Sequence, residues 1–375
     1  MIENRLVVYG AEGENNGCNF YRIRQPISML AEKDVLPCAV SSAISLEDQS
    51  LWVDKADLIV SQKMTSEKFL DYMVSMKGKQ RFVIDIDDNI FSVSPYNPSY
   101  KWYGVSEVKY QIPGGGEVEL KDGEYGFNIA ENKRRMFILS ETLSKADLIT
   151  TPSSILCGRM KRLNKNVKVV KNFLDLRTWK PLNMVKDDKV RIGWQGGWSH
   201  YEDWCEIKDA LKTVLIEHKN AVLVIMGTHF EGTTKDFPQD QIETVDWTDI
   251  MVYPHKFKTL GIDIGIAPIA NNDFNTCKSE LKWEEYSSLK IPCVASNIPP
   301  YNLSILDGNT GFLCGSKEDW VETISKLVLS SKLREEVGNR ARSKIEEDYD
   351  LSKGVYQYED IYKKLCHLKT ELILH

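Results

Sequence analysis

Lys278, Lys282 and Glu285 stand at i, i+4 and i+7 in the segment FNTCKSELKWEEYSSLKIPCVAS (274–296). On a helix these three side chains share one face. Two ammonium groups and one carboxylate on one stripe suit a diphosphate joined to a hydroxyl-bearing group. They equally suit a solvated helix face closed by an i,i+3 ion pair. A second constellation is IGWQGGWSHYEDW (192–204), where Gly193, Gly196 and Gly197 follow a β-rich run. A helix begins near Glu202, so backbone N–H groups and a positive helix end meet around one spot, an arrangement that binds anions. Ser199 and His200 can add hydrogen bonds there. The plainer alternative is a βα turn whose tryptophans pack between layers.

Two further stretches carry reactive groups. FVIDIDDNIFSVSPYNP (82–98) places Asp85, Asp87 and Asp88 at the C-terminal end of a strand, where ligands of open α/β sheets bind. A carboxylate there can accept a proton from an incoming hydroxyl. Local capping by aspartate is the competing reading, and a magnesium site lacks a third partner motif. YGAEGENNGCNFYRIRQP (9–26) sets Gly10, Gly13 and Gly17 ahead of a helix with Arg22 and Arg24. It departs from G-x-G-x-x-G, so it does not point to NAD; it reads as a phosphate- or acceptor-facing loop. G-x-S-x-G, H-E-x-x-H and a Walker A lysine loop do not occur, which removes common hydrolase and P-loop readings.

The elements that must position these groups alternate between strand and helix. RLVVYG (5–10), ADLIVSQ (56–62), RFVIDIDD (81–88) and ADLITTP (146–152) read as strands, and YRIRQPISMLAEK (21–33) as a helix. KADLI occurs at 55–59 and again at 145–149, two equivalent positions in one βα architecture. A second series starts near residue 189: strands at 190–195, 221–227, 262–269 and 291–298, helices at 202–219, 279–290 and 331–349, and an amphipathic helix over 352–370. Short apolar runs between helices imply parallel sheets covered on both faces. The polar stretch LDLRTWKPLNMVKDDK (174–189) reads as a linker. This predicts α/β architecture in two doubly wound domains, 1–180 and 185–350, followed by a helix over 351–375. Residues 93–130 break the alternation. Their VKYQIPGGGEVEL run reads as a β-hairpin inserted in the first domain.

Composition narrows the class. The chain has 375 residues, 42% hydrophobic and 27% charged, with a net charge of −6. That length predicts two domains, and the acidic balance argues against a nucleic-acid-binding surface overall. Eight scattered cysteines without a CxxC pair imply reduced thiols and no zinc site. With no apolar run of spanning length and no signal peptide, the expected location is the cytoplasm.

These residues together resemble the GT-B glycosyltransferases, near the large family-four branch with its "glycosyl transferases group 1" domain. LKWEEYSSLKIPCVASNIPPY (281–301) is similar to that family's L-K-x-x-E-Y-x-A-x-G-x-P-V-V-A-S segment, and DGNTGFLC (307–314) to its following turn and strand. GCNFYRIRQPISML (17–30) and VIDIDDNIFSVSPYNP (83–98) resemble segments of bacterial and bacteriophage members. The resemblance implies two Rossmann-like domains facing across a cleft, a UDP- or GDP-sugar held mainly by the C-terminal one, and a last helix crossing back. It implies retention of configuration and no required metal or cofactor. Glu285 matches the second Glu of the family's Glu-x7-Glu motif, the ribose ligand, and Lys282 the lysine three residues before it. Cys277 stands where the first Glu belongs, followed by Lys278 and Ser279. The family's Arg and Lys after the first C-domain strand are replaced by Gln195 to His200. There Gly196 and Gly197 let the backbone approach a diphosphate, and His200 or Ser199 stands in for the cation.

The implied catalytic set is therefore Asp87, Asp88 and His200. Gly196, Gly197, Ser199, Lys278, Ser279, Lys282 and Glu285 form the donor set. Gly13, Gly17, Arg22 and Trp102 lie on the acceptor side. The acceptor is a hydroxyl on a glycan or lipid-linked sugar, or on a hydroxymethylated base of DNA. Lys101, Trp102, Tyr103, Lys109 and Tyr110 in the insertion favour an aromatic or nucleic-acid partner. A nucleotide-sugar isomerase or hydrolase, or a non-catalytic binding module, are the alternatives of the same fold.

Overall fold

The computed structural model describes residues 7–10, 17–32, 38–40, 53–112, 116–184, 187–230 and 232–373. Its contacts divide the chain into two units. The first takes the described residues of 1–89, 133–175 and 349–375, and the second those of 90–132 and 176–348.

In the first unit, strands β1 (Val7–Gly10), β2 (Cys38–Val40), β3 (Leu58–Gln62) and β4 (Arg81–Asp85) are followed by a hairpin of the second unit, β5 (Val108–Gln111) and β6 (Glu117–Leu120). Strands β7 (Leu148–Thr151) and β8 (Val167–Val169) then complete a parallel sheet of order β2-β1-β3-β4-β7-β8. The two KADLI copies lead into β3 and β7, the two neighbours of β4. Leu58, Val60, Val83 and Leu148 are buried with residues of the helix Leu351–Ile373 (Leu351, Val355, Tyr358, Ile361, Tyr362). Each such apolar side chain contributes about 1.5–3 kcal/mol when removed from water.

The second unit holds β9 (Val190–Gly196), β10 (Ala221–Gly227), β11 (Ile242–Val245), β12 (Ile264–Ala267), β13 (Cys293–Ser296) and β14 (Phe312–Cys314). All pair in parallel, in the order β11-β10-β9-β12-β13-β14. Counted along this unit the order is 3-2-1-4-5-6, so the chain reverses direction between β9 and β12. The crevice beyond those two strand ends is where such sheets bind ligands.

Two expectations about boundaries are corrected. Residues 90–132 group with the second unit and not the first. The Tyr96 ring packs at 5.3 Å from Tyr110 and 5.7 Å from Tyr201, and the Ser94 hydroxyl donates to the Glu202 carboxylate. The stretch read as a linker is partly core: Trp179 is buried, with its ring 5.8 Å from Tyr253 and 6.1 Å from Phe257.

Candidate functional site

The turn after β9 is shaped by close approach. A Cβ on Gly196 would sit 2.9 Å from the Trp194 ring and 3.1 Å from the His200 ring, so a side chain there would displace both. The chain then makes one 3-10 turn, Trp198–His200, and enters the helix Tyr201–Glu217. The three tryptophans divide. Trp194 and Trp204 are core residues 5.3 Å apart, whereas Trp198 is 60% exposed. The packing reading was right for two of them.

His200 and Asp203 form a pair that the sequence reading did not single out. The His200 Nδ1 lies 2.6 Å from Asp203 Oδ2. The other Asp203 oxygen accepts from the Ala270 amide at 2.8 Å and from Asn275 Nδ2 at 2.9 Å. One buried carboxylate therefore ties the loop after β12 to the turn after β9. Burial opposes its charge, but Lys278 and the His200 bond hold it below the usual carboxylate range. The carboxylate accepts, so Nδ1 carries the proton and Nε2 is left as an acceptor.

Burial, reinforced by Lys282 and Lys278, pushes the His200 pKa down to about 3. The imidazole is neutral at pH 7. In the place expected to stand in for a cation, His200 thus offers a neutral ring with hydrogen-bonding nitrogens, and positive charge is nearby on Lys282. The Lys282 ammonium lies 3.5 Å from His200 Nδ1 and 5.7 Å from the Trp194 ring. Burial lowers its pKa to about 8; Asp203 opposes the shift, and Lys278 adds to it. Lys278 does not share a helix with Lys282, as the spacing suggested. It follows a 3-10 turn, Asn275–Cys277, and precedes the helix Leu281–Ser288. Ser279 lies between them, half-buried.

Glu285 is buried. Its Oε2 accepts from the Tyr253 hydroxyl at 2.9 Å and from Gln195 Nε2 at 3.3 Å. Gln195 is itself fixed by the Tyr286 hydroxyl, which also donates to the Gly193 carbonyl at 2.6 Å. Gln195, Asp203, Tyr253 and Asn275 thus surround these residues and were missed, because each also has a partner 32 to 91 residues away in sequence. The second unit brings together Gly196, Gly197, Ser199, His200, Lys278, Lys282 and Glu285, at the ends of β9 and β12 and on the helix before β13.

In the first unit, Asp87 and Asp88 follow β4. The Cys18 thiol and these two carboxylates lie within 4.8 Å of one another, a set able to hold a cation. The Lys63 ammonium is 3.3 Å from Asp87 and supplies positive charge there. Burial works against the Asp87 charge, yet Lys63 and the Cys18 thiol keep its pKa below the ordinary value. A carboxylate held ionised this way is a poor general base. Gly17 opens the helical stretch leading to Arg22, and Gly13 lies outside the described residues.

Arg22 is 2% exposed. Its guanidinium donates to Asp85 at 3.0 and 2.6 Å, to the Val170 carbonyl and to Asn172 Oδ1. It is an interior tie and not an acceptor contact, which corrects that expectation. Trp102, 47% exposed beneath the Lys101 ammonium, belongs to the second unit.

No family model matches the chain. Among solved structures, sucrose-phosphate synthase from Thermosynechococcus elongatus superposes with a TM-score of 0.65 at 12% identity, over 96% of this chain and 99% of that one. Anabaena Alr3699/HepE in complex with UDP-glucose gives 0.63 at 12% identity, over 96% and 99%. The fold is GT-B. A curated relative, N-acetyl-alpha-D-glucosaminyl L-malate synthase of Bacillus anthracis, is 23% identical over 245 residues, 59% of this chain. The match spans 60% of that relative's length. Among the described residues of this GT-B chain, no helix is long and apolar enough to cross a membrane.

Proposed function

We propose that this chain is a glycosyltransferase that moves a sugar from a UDP- or GDP-sugar to an acceptor hydroxyl, with retention of configuration. One observation carries the reading: Lys278, Lys282 and Glu285 converge on the β9–β12 switch point of the second unit. There the lysines and the Gly196–Ser199 backbone take the diphosphate, and Glu285 takes the ribose. Ser279 and His200 Nε2 are placed to bond donor hydroxyls. The HepE structures, which contain UDP and UDP-glucose, support the donor class. Retention rests on the likeness of the 281–301 segment to the family motif.

In the transfer the bond from the anomeric carbon to the diphosphate oxygen breaks and a bond to the acceptor oxygen forms. The nucleoside diphosphate departs, and the hydroxyl proton passes to its phosphate or to a carboxylate. We assign that carboxylate, or the positioning of the hydroxyl, to Asp88. Asp87 is the anchored neighbour.

Titration calorimetry with UDP and GDP tests the donor site. Lys282→Ala should weaken binding by about 1.5–3 kcal/mol, the loss of a charge-assisted bond. The pH dependence has a defined sign. Only the ammonium form attracts the diphosphate, so affinity falls as pH rises through about 8, by up to about tenfold per unit. Lys282→Arg stays charged and should flatten the profile. A flat profile in the wild type, or unchanged affinity in Lys282→Ala, removes Lys282 from the site.

Glu285→Gln should raise the donor KM more than it lowers kcat, because a contact made equally in ground and transition states is lost. A large kcat loss at saturating donor contradicts the ribose role. Release of free sugar from UDP-glucose without acceptor, and no transfer with one, assigns the site to a hydrolase instead.

A further inference from the structure

Within the second unit, described residues between 95 and 120 and the turn after β9 line a half-open cavity of about 630 Å³. This lies within the range of about 300–1,000 Å³ that small ligands fill. Its walls are largely aromatic: Tyr96, Tyr110, Trp198 and Tyr201 line it beside Ile112, with Asn97, Lys101 and His229 as polar groups and no carboxylate among the lining residues. The rings meet at angles, 68° for Tyr96 against Tyr110 and 49° for Tyr96 against Tyr201. Rings 5.3 and 5.7 Å apart touch one another, so they form one continuous aromatic wall and leave no parallel-sided slot for a flat base between them. Such a wall suits the axial C–H face of a pyranose, with Lys101 and His229 to bond its hydroxyls. The cavity also shares its turn with the donor site, since Trp198 and Tyr201 flank Ser199 and His200 in the chain.

We infer that this cavity is an acceptor subsite and that its occupant is carbohydrate, the remote rings of an oligosaccharide packed on Tyr96, Tyr110 and Trp198. The inference rests on the glycosyltransferase reading. The hairpin then serves as a specificity element: it holds the non-reacting part of the acceptor, and binding energy from that part positions the reacting hydroxyl.

Saturation-transfer NMR on the full chain tests this, with maltotriose, cellotriose, chitotriose and a thymidine hexanucleotide as separate probes. UDP affinity is measured by calorimetry on the same samples. At least one trisaccharide should receive saturation in the wild type. Tyr110→Ala and Ile112→Ser should each weaken its binding by about tenfold or more, as expected for losing a central packing contact. Tyr110→Phe keeps the ring and should restore binding, which separates lost packing from a disturbed hairpin. UDP affinity should stay at the wild-type value in all three variants. Silence of every trisaccharide, binding of the hexanucleotide alone, or undiminished trisaccharide binding in both truncation variants overturns the inference. Absence of UDP binding in the wild type overturns the transferase reading instead, and the sugar signal reports on the cavity independently.

Discussion

Arg22→Ala is expected to destabilise the first unit by about 3–5 kcal/mol, the cost of leaving a buried charge without its partner. The argument is one of accounting for atoms. Asp85 is 3% exposed and accepts from the Arg22 guanidinium and from Thr150 Oγ1 at 2.6 Å. Without Arg22 the carboxylate keeps only the hydroxyl of Thr150 among these, while the Val170 carbonyl and Asn172 lose a donor. Burial works against the guanidinium charge, and Asp85 beside it holds the proton on. Replacing both charges, Arg22→Met with Asp85→Leu, should recover most of the loss, since an apolar pair of similar volume often matches a buried ion pair. Native-state hydrogen exchange of the β4 and β7 amides reads the effect on this unit alone. A single-variant cost below about 1 kcal/mol, typical of exposed pairs, would return Arg22 to the surface.

Asp88→Asn should leave UDP binding intact and lower sugar transfer by about 10²-fold or more, the usual scale for a positioned acid or base. Asp87→Asn is the paired test. Its carboxylate is tied to Lys63, so its loss should act through Lys63 and Cys18, on the stability of the β4 end as well as on rate. Comparable transfer in Asp88→Asn and wild type moves the acceptor hydroxyl elsewhere. A thermal midpoint that falls in step with activity assigns both aspartates to local structure.

The sheet architecture was legible because central parallel strands are buried on both faces and so read as short apolar runs. Ala221–Gly227 forms a strand over the very residues its composition marks, and all but Gly227 are buried. Val167–Val169 and Ile242–Val245 went unread. Each lies at an edge of its sheet and carries charge within a short span, VKV and IETV, so no apolar run forms. The geometry of the Lys278, Lys282 and Glu285 group was legible in part. Lys282 and Glu285 follow helical spacing, while Lys278 lies outside the helix. Arg22 was misread, and the neutral state of His200 went unread, for one reason: polarity is visible in a sequence, but the desolvation that neutralises an imidazole or locks a guanidinium onto Asp85 comes from residues far along the chain. Asp203 shows the same limit, as its partners Ala270 and Asn275 become neighbours only once β12 lies beside β9.

The helix Leu351–Ile373 belongs to the same unit as β1 to β4. A growing polypeptide therefore leaves the ribosome in an awkward order for this unit. Leu58, Val60 and Val83 are synthesised early, but Leu351, Val355 and Tyr358, which share their core, appear only after the whole of 176–348 has been translated. At about 5–20 residues per second the wait is on the order of ten seconds or more. The second unit meets no such delay in its 176–348 portion, whose strands follow one another without interruption. Vectorial synthesis thus favours the second unit's 176–348 portion closing first, while the early sheet stays open to chaperones until its last helix arrives.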